Sequence, residues 1–264
     1  MNRPDAVIEE QVVVVGAGPA GLAAASALKE KGIDALIVEK GPSVATSWRS
    51  RHDHLRLNTH RVFSHQPGQR LPRALGPYPS RDGYIAYLER YAERLRIRTG
   101  TEVTRIDPAP GGWELSHREG TLRARHLVVS TGPDLEPVLP TWPGHDTFTG
   151  AVMHAGSFAN VADVRGKDIL VVGPGNSGVD LLNHLVADPE VGALWLSARS
   201  GMTIVPMRLF GLPLHPVAVM ARYLPVRAQD LTLRLIEGSP SAISPTGASP
   251  SRTSARSPEC TATM

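Results

Sequence analysis

The sequence predicts an α/β protein with two Rossmann-like dinucleotide-binding domains and a small β-meander. Two glycine-rich segments of one type, GxGxxG, occur at residues 16–21 and 173–178. Each follows a short β-branched run and precedes strong helix formers, which is the strand–turn–helix order that a nucleotide-binding turn requires. About 150 residues separate the two segments, the size of one ordinary domain. Two such turns in one polypeptide imply two dinucleotides, and the usual chemical reason is hydride transfer between them.

The first glycine-rich turn has the complete context of a dinucleotide site. Residues 11–15 form a β-branched run that is typical of a strand buried on both faces of a parallel sheet. Gly16 permits the sharp turn, Gly18 lets the backbone approach a pyrophosphate, and Gly21 lets the helix pack closely on the strand. Glu39 ends the next apolar run, where a carboxylate accepts hydrogen bonds from ribose hydroxyls and repels a 2′-phosphate. The alternative is a plain βαβ turn with a surface Glu39.

The second turn carries the opposite charge at the corresponding position. Residues 168–172 repeat the strand pattern, and residues 179–186 repeat the helix pattern. The following apolar run leads into Arg199, which together with Ser197 and Ser200 suits the 2′-phosphate of NADP. A solvated arginine at the end of a strand is the alternative for Arg199. The two turns therefore predict FAD at the first and NADPH at the second.

Composition is that of an ordinary soluble enzyme and excludes several classes of protein. Hydrophobic residues make up 41% of the 264 residues, charged residues make up 20%, and the net charge is +3. The basic residues form no aromatic-interleaved patch, so no nucleic-acid partner is expected. Residues 1–10 lack the apolar core of a signal peptide, and Cys260 is the only cysteine, so we expect a cytoplasmic protein without disulfides. Residues 12–28 are uncharged, but their glycines and Pro19 fit a turn better than a span, so no integral membrane segment is expected.

The region between the turns begins with a long irregular segment, residues 43–79, which is rich in Arg, His and Pro. Loops of this length in compact domains tend to be functional. Ser80 is expected to cap a helix with an apolar stripe that continues to Leu95. A β-meander of three short strands follows, and then a separate strand over residues 127–130 that leads into a tight turn at Thr131 and Gly132. The meander strands are predicted at residues 102–106, 113–117 and 121–125.

Four histidines lie close together in the irregular segment: His52, His54, His60 and His65. Their spacing matches no standard pattern of metal ligands, and we expect no acidic or cysteine partner to join them. We therefore expect no metal site.

Residues before the second turn resemble a known family. The pattern Phe148-x-Gly150-x3-His154-x3-Phe158 is similar to the fingerprint of flavin-containing monooxygenases. Residues 48–59 and 78–82 also look like the family's sequence after the acid that binds FAD, most of all in its YUCCA-like subgroup. The resemblance covers about residues 9–236.

The resemblance implies an FAD- and NADPH-dependent monooxygenase that transfers one oxygen atom from O2 to a small organic substrate through a flavin C4a-hydroperoxide. Asn58 lies where some family members place an asparagine near the flavin ring, so it is the catalytic candidate; a loop asparagine that bonds nearby backbone is the alternative. His154 and the two phenylalanines are expected to brace the connection between domains. The motifs and the resemblance together nominate these cofactor-binding residues: Gly16, Gly18, Pro19, Ala20, Gly21, Glu39, Lys40, Trp48, Thr131, Gly132, Gly173, Gly175, Asn176, Ser177, Gly178, Ser197, Arg199 and Ser200.

The chain departs from the family at its carboxyl end. Residues 238–264 are dominated by Ser, Pro, Thr, Ala and Arg, which cannot bury a core and are expected to be disordered. The abrupt change resembles a frameshifted reading of GC-rich coding sequence, and a natural low-complexity tail is the alternative. We expect an FAD-binding domain (1–147), a connecting segment (148–165) and an NADPH-binding domain (166–237) that is incomplete, with exposed apolar faces and either poor expression or weak FAD binding.

Two other classes of function remain open on the sequence alone. A flavin disulfide reductase shares the two-dinucleotide plan but needs a cysteine pair beside the flavin, and this chain has a single cysteine. A nucleotide-binding fragment that turns nothing over is the non-enzymatic alternative. The substrate, the type of oxygenation (heteroatom, Baeyer–Villiger or decarboxylative) and the oligomeric state are left open.

Overall fold

The computed structural model describes residues 8–133, 136–199, 207–209, 211–223 and 225. The chain divides into two compact units. The first contains Met1–Val171 and Gly175–Leu196, and the second contains Val172–Pro174 and Ser197–Met264. The predicted domain boundaries at residues 147 and 165 stay a prediction. The predicted tail, residues 238–264, lies outside the described residues.

One mixed sheet of six strands forms the centre of the first unit. Its strands are β1 (Ile8–Val15), β2 (Leu36–Val38), β3 (Arg96–Arg98), β4 (Val103–Ala109), β5 (Gly112–His117) and β6 (Gly120–Val129). The spatial order is β3-β2-β1-β6-β5-β4. Strands β3, β2, β1 and β6 run parallel, whereas β6, β5 and β4 form the antiparallel meander. Val12 and Val14 contact one hydrophobic cluster and Val13 and Val15 another, so this run is buried on both faces as predicted.

The third strand of the meander continues without a break into the strand that precedes Thr131. The sequence predicted two strands there, at residues 121–125 and 127–130, and this prediction is wrong. Arg125 and His126 look like a boundary because they are polar, but their side chains are exposed while the backbone stays in register, with His126 opposite Val12. Strand β6 therefore joins the meander to the parallel half of the sheet.

Three α-helices accompany this sheet in the first half of the chain: α1 (Pro19–Glu30), α2 (Thr46–Arg49) and α3 (Arg81–Ala92). Ser80 caps α3 as predicted, because its Oγ accepts a hydrogen bond from the backbone N–H of Gly83 at 3.2 Å. Leu22 of α1 and Leu88 and Tyr91 of α3 are fully buried in the cluster that Val12 and Val14 contact. The predicted apolar stripe is therefore core packing. Short 3₁₀ turns lie at Arg61–Phe63, Arg73–Leu75, His145–Thr147, Ala155–Ser157 and Val161–Val164.

The second glycine-rich turn lies between a strand and a helix, as predicted. Strand β7 (Ile169–Val172) precedes it, helix α4 (Asn176–Ala187) follows it, and β8 (Leu194–Ser197) pairs with β7 in a two-stranded sheet. Leu181 and Leu185 of α4 pack with residues from the segment before β7 in a third cluster. Leu170, Val172, Val186 and Trp195 are more than half exposed, so apolar side chains of these elements face solvent.

The second unit contains three further described elements. Strands β9 (Arg208–Leu209) and β10 (Leu212–Pro213) form an antiparallel pair, and α5 (Leu214–Ala221) follows directly. Helix α5 lies in the apolar region around residues 209–224. No helix among the described residues is both long and apolar enough to cross a membrane.

Candidate functional site

In the first cradle, which we define as residues 16–21 with Glu39, the three glycines have two different structural roles. Gly16 has φ +106°, which favours glycine, and a Cβ there would meet the carbonyl oxygen of Ser130 at 2.4 Å. A Cβ on Gly21 would lie 1.9 Å from the carbonyl oxygen of Gly16, so helix α1 can approach the turn this closely only with glycine. A Cβ on Gly18 would have no described atom within 4 Å. Gly16 and Gly21 therefore allow close packing, whereas Gly18 borders open space.

That open space lies at the amino end of α1. Gly18 is the N-cap residue, Pro19 occupies the first turn, and no side chain caps the helix. A helix amino end that no side chain caps, with open space at its N-cap residue, suits a phosphate. Ala20, also predicted at the cofactor, is exposed there.

Glu39 is buried and connects the glycine-rich turn to the loop after β2. Its Oε2 accepts a hydrogen bond from the backbone N–H of Ala17, and its Oε1 accepts one from Gly41, both at 2.8 Å. The residue is 7% exposed. A carboxylate has about four lone-pair sites, so acceptor capacity remains for ribose hydroxyls after these two bonds. The sequence predicted the ribose role but missed the two backbone donors.

The other residues predicted at the first dinucleotide lie in three places. The backbone of Thr131 lies beside Gly16, because β6 ends there, and both Thr131 and Gly132 are exposed. Lys40 is exposed next to Glu39. Trp48 of α2 is half-buried and packs edge-on against Tyr84, with ring centroids 4.8 Å apart.

Asn58, the catalytic candidate, is exposed in the loop after the buried Leu57. Its side chain makes no hydrogen bond with any residue that the structure describes. The alternative, an asparagine that bonds nearby backbone, finds no support in this geometry, and the catalytic role stays a prediction.

The second cradle, residues 173–178, repeats the open position. Gly173 has φ +97°, and Gly175 is the N-cap of α4 with φ −69° and ψ 175°. A Cβ on Gly175 would have no described atom within 4 Å, as at Gly18. Asn176 and Ser177 are exposed in the first turn of α4, and Gly178 is buried. The amino end of α4 therefore also has room for a phosphate.

The residues predicted to select the second nucleotide follow β8. Ser197 and Arg199 are exposed in the second unit, and the carbonyl oxygen of Ser197 accepts a hydrogen bond from the N–H of Gly173 at 2.9 Å. Ser200 lies outside the described residues. The recognition of a 2′-phosphate by Arg199 stays a prediction.

The segment of residues 52–54 is firmly held. Asp53 lies 2.8 Å from the guanidinium of Arg81 and accepts a hydrogen bond from the side-chain amide of Asn160 at 2.9 Å. These two partners, Asn160 first, lower the pKa of Asp53 below its ordinary value. The backbone N–H of Asp53 also bonds to the carbonyl oxygen of Ala159.

The histidines on either side of Asp53 meet helix α4. His52 Nε2 lies 2.9 Å from Oδ2 of Asp180, and the ring of His54 stacks on that of His184 with centroids 5.2 Å apart. The expectation that no acidic residue joins the four histidines is therefore wrong for His52. Its partner is 128 residues away in sequence, so no local spacing could reveal it. The only local signal is that Asp180 and His184 are four residues apart on one helix.

Burial affects the pKa of one histidine in this group, His184. Removal from water lowers the pKa of His184, the neighbouring His52 and His54 lower it further, and Asp180 opposes them. Nδ1 of His52 is buried without a hydrogen-bond partner among the described residues. His54 and His184 also border an open cleft of about 500 Å³ that Asn160, Arg165 and Glu190 help to line.

The fingerprint residues before the second cradle differ in burial and in their contacts. Phe158 is buried against α4, so its predicted bracing role agrees with the packing. Nδ1 of His154 accepts the N–H of Gly156 and caps a 3₁₀ turn. Phe148 is 62% exposed, and its ring covers Gly150, where a Cβ would lie 2.5 Å from the ring. Its bracing role stays a prediction.

Comparisons with known proteins agree with these features. Residues 13–195 match the family model of the pyridine nucleotide-disulphide oxidoreductases. The chain is 37% identical over 229 residues to the indole-3-pyruvate monooxygenase YUCCA1 of Oryza sativa subsp. japonica, an alignment that covers 83% of this chain and 55% of that protein. It is 31% identical over 245 residues to a probable indole-3-pyruvate monooxygenase, YUCCA4, of Arabidopsis thaliana, covering 90% of this chain and 59% of that protein. The chain thus spans little more than half the length of these curated relatives.

The fold is also similar to solved structures. A doubly substituted flavin monooxygenase from Stenotrophomonas maltophilia superposes with a TM-score of 0.73 at 25% identity, covering 91% of this chain and 73% of that one. A bacillithiol disulfide reductase from Staphylococcus aureus superposes with a TM-score of 0.67 at 20% identity, covering 82% of this chain and 65% of that one. The latter likeness concerns the fold alone.

Proposed function

This chain belongs to the pyridine nucleotide-disulphide oxidoreductase family, and we propose that it is a flavin-containing monooxygenase that binds FAD in the first cradle and NADPH in the second. Its reaction is the insertion of one oxygen atom from O2 into a small organic substrate. The observation that carries the proposal is the pair of cradles in which Gly18 and Gly175 border open space at a helix amino end. A side chain at either position would fill the place where a pyrophosphate must lie.

In the first cradle, the chain's own groups fit FAD. The N–H groups at the start of α1 bind the pyrophosphate, and Gly18 leaves room for it. Glu39 accepts the adenosine ribose hydroxyls with the lone pairs that Ala17 and Gly41 leave free. A phosphate on the 2′ oxygen would be repelled by this carboxylate, so the first cradle discriminates against NADPH.

In the second cradle, Gly175 and the start of α4 bind the pyrophosphate of NADPH in the same way. Arg199, with Ser197 and Ser200, binds the 2′-phosphate. Bound FAD, once reduced by NADPH, supplies the activation of O2. The protein orients the two cofactors and excludes water, so no acid–base pair is required of the chain.

A disulfide reductase has the same fold, but this chain lacks the side chains that disulfide reduction requires. That chemistry needs two cysteines beside the flavin, and the 264 residues contain one cysteine, Cys260. The chain therefore supports oxygenation over disulfide reduction. The second candidate function is nucleotide binding without turnover, which needs only the two cradles.

The test uses the full 264-residue chain with added FAD. Flavin absorbance after gel filtration reports bound FAD, and oxidation of NADPH and NADH is followed with and without amines, sulfides, ketones and indole-3-pyruvate, the last because the curated relatives are named for it. We expect retained FAD, which would overturn the sequence-based expectation of weak binding, together with NADPH oxidised faster than NADH and an oxygenated product that depends on O2. FAD binding without NADPH oxidation assigns the non-enzymatic function, and no FAD binding contradicts both.

A further inference from the structure

Two histidines and one aspartate converge where the loop after α2 meets α4. Nε2 of His52 lies 2.9 Å from Oδ2 of Asp180, and Nε2 of His184 lies 3.6 Å from Oδ1 of the same carboxylate. One ligand atom from each of the three residues falls within 4.8 Å of the others. His52 is buried, and the other two residues are partly buried. One carboxylate therefore faces two imidazoles in a largely enclosed space.

We propose that His52, Asp180 and His184 bind a divalent first-row transition-metal ion of the type represented by Zn²⁺. Imidazole nitrogens and carboxylate oxygens are the ligands that such ions take. Metal–ligand distances of ~2.0–2.2 Å place the ligand atoms of a tetrahedral site about 3.3–3.6 Å apart. Nε2 of His52 is 2.9 Å from one oxygen of Asp180, and Nε2 of His184 is 3.6 Å from the other, so each imidazole lies close to that spacing from a carboxylate oxygen. The three ligand atoms lie within 4.8 Å of one another, so the longest separation must shorten when an ion binds.

The ligands are positioned by elements whose own packing is fixed. Asp180 and His184 are four residues apart, so they share one face of α4. Leu181 and Leu185 anchor this helix in a hydrophobic cluster. The position of His52 is fixed through its neighbour Asp53, which forms an ion pair with Arg81 and accepts a hydrogen bond from Asn160. A metal site whose ligands are already oriented loses little conformational freedom on binding.

The proposed site has a route to solvent. His54 and His184 border the open cleft, which gives an ion and its water ligands a route in.

A plain His52–Asp180 hydrogen bond is the competing explanation, because the helix alone brings His184 beside Asp180. The metal site is favoured over it by the second imidazole beside the same carboxylate, and the Co²⁺ titration separates the two explanations. The ion would tie the segment of residues 52–54 to α4, the helix whose first turn belongs to the second cradle. The site lies outside both cradles, so its existence does not depend on the proposed oxygenase activity.

The experiment titrates the untagged full chain with Co²⁺, whose visible d–d absorption reports imidazole and carboxylate ligation, and then displaces it with Zn²⁺. We expect one equivalent of Co²⁺ with visible bands that Zn²⁺ abolishes. His184→Gln and Asp180→Asn should each weaken Co²⁺ binding by at least about tenfold, since even residues that only support a ligand have effects of this size. His126→Gln removes an exposed histidine on β6 and should leave binding unchanged.

Circular dichroism before the titration shows that each variant is folded, and two variants at different positions keep the test valid when one fails to fold. Zn²⁺ should also raise the midpoint of thermal unfolding of the parent chain and of His126→Gln, but not of the two ligand variants. The absence of visible bands in the parent chain overturns the proposal, as does equal Co²⁺ affinity in the parent and the folded His184→Gln variant.

Discussion

The carboxylate of Glu39 accepts the backbone N–H of Ala17 at 2.8 Å, a contact between the end of β2 and the glycine-rich turn 22 residues earlier. Its second oxygen accepts the N–H of Gly41 at the same distance. The acid therefore fixes two loops that border the first cradle before any nucleotide arrives. Because the group is buried, the two bonds act in a low-dielectric region where an unpaired N–H is costly.

Glu39→Gln should consequently destabilise the protein even without FAD. The amide retains one acceptor oxygen, but its NH2 group then faces a backbone N–H, so one buried donor loses its partner. We expect a loss of about 1–3 kcal/mol in the free energy of unfolding, measured by urea denaturation of the apoprotein. Glu102→Gln, at an exposed carboxylate, should change it by less than about 0.5 kcal/mol. Equal stability of the two variants would contradict a structural role for Glu39.

Gly18 and Gly21 should respond in opposite ways to the same added methyl group. Gly18→Ala meets no described atom and has φ −80°, so stability should stay within about 0.5 kcal/mol of the parent while FAD binding is lost. Gly21→Ala drives a Cβ into the carbonyl oxygen of Gly16, and we expect destabilisation by about 1–3 kcal/mol. Urea unfolding of both apoproteins and flavin retention of both variants provide the comparison. Normal FAD binding by Gly18→Ala would refute the first cradle.

The parts of the fold that depend on local chemistry could be predicted from the sequence. The buried run before Gly16, the close packing at Gly16 and Gly21 and the Ser80 cap each follow from a few neighbouring residues, and the structure agrees with them. The continuity of β6 could not be predicted, because Arg125 and His126 interrupt the apolar pattern while the pairing with β1 holds the backbone extended.

The histidine–aspartate group could not be predicted for a similar reason. His52 and Asp180 are brought together by tertiary packing across 128 residues, and neither residue belongs to a standard motif. The two donors to Glu39 were missed because backbone N–H groups have no signature in a sequence. By contrast, the openness of Gly175 was implied by the motif itself, which places a ligand there.

Gly175→Ala should block the nicotinamide nucleotide and leave FAD bound. The position has φ −69° and free space around a Cβ, so the fold should tolerate alanine. The added methyl group should, however, exclude a pyrophosphate from the second cradle. We expect normal flavin content with NADPH oxidation reduced to the background rate. Unchanged NADPH oxidation in the folded variant would count against the second cradle.

Arg199→Ala should lower the preference for NADPH over NADH. A guanidinium bonded to a 2′-phosphate contributes roughly 1.5–3 kcal/mol, so the ratio of kcat/KM for the two nucleotides should fall about tenfold or more. Arg90→Ala, at an exposed position of α3, is the matched control and should leave the ratio unaltered. A ratio that is the same in all three proteins would assign Arg199 to a solvated surface.

The carboxylate of Asp188 should make stability depend on pH in the acidic range. The N–H of Glu190 and then the guanidinium of Arg165 lower the pKa of Asp188 below its ordinary value of 3.8. The ionised form is thus favoured in the native state, and its contribution is present above pH 3.8 and lost as the pH falls further. Asp188→Asn should be less stable than the parent at pH 7, and the difference should shrink below pH 3.8. Asp163→Asn, at an exposed site, should follow the parent at every pH.

Two tyrosines of α3 should differ in what their hydroxyl groups stabilise. The Tyr87 hydroxyl accepts the backbone N–H of Gln66 at 2.6 Å and donates to the carbonyl oxygen of Gln69 at 2.5 Å, whereas the Tyr91 hydroxyl only donates, to Pro67 at 2.9 Å. Tyr87→Phe therefore leaves a buried N–H without an acceptor, and we expect a loss of about 1–3 kcal/mol.

Tyr91→Phe removes the same atom from the same helix but leaves every N–H paired, so it should cost about 1 kcal/mol or less. Urea unfolding of the two variants under one set of conditions gives the comparison, and amide hydrogen exchange at Gln66 localises the effect. Faster exchange at Gln66 in Tyr87→Phe, but not in Tyr91→Phe, is the expected pattern. If both variants lose equal stability and exchange equally, the hydroxyl of Tyr87 does not hold the loop of residues 66–69 on α3.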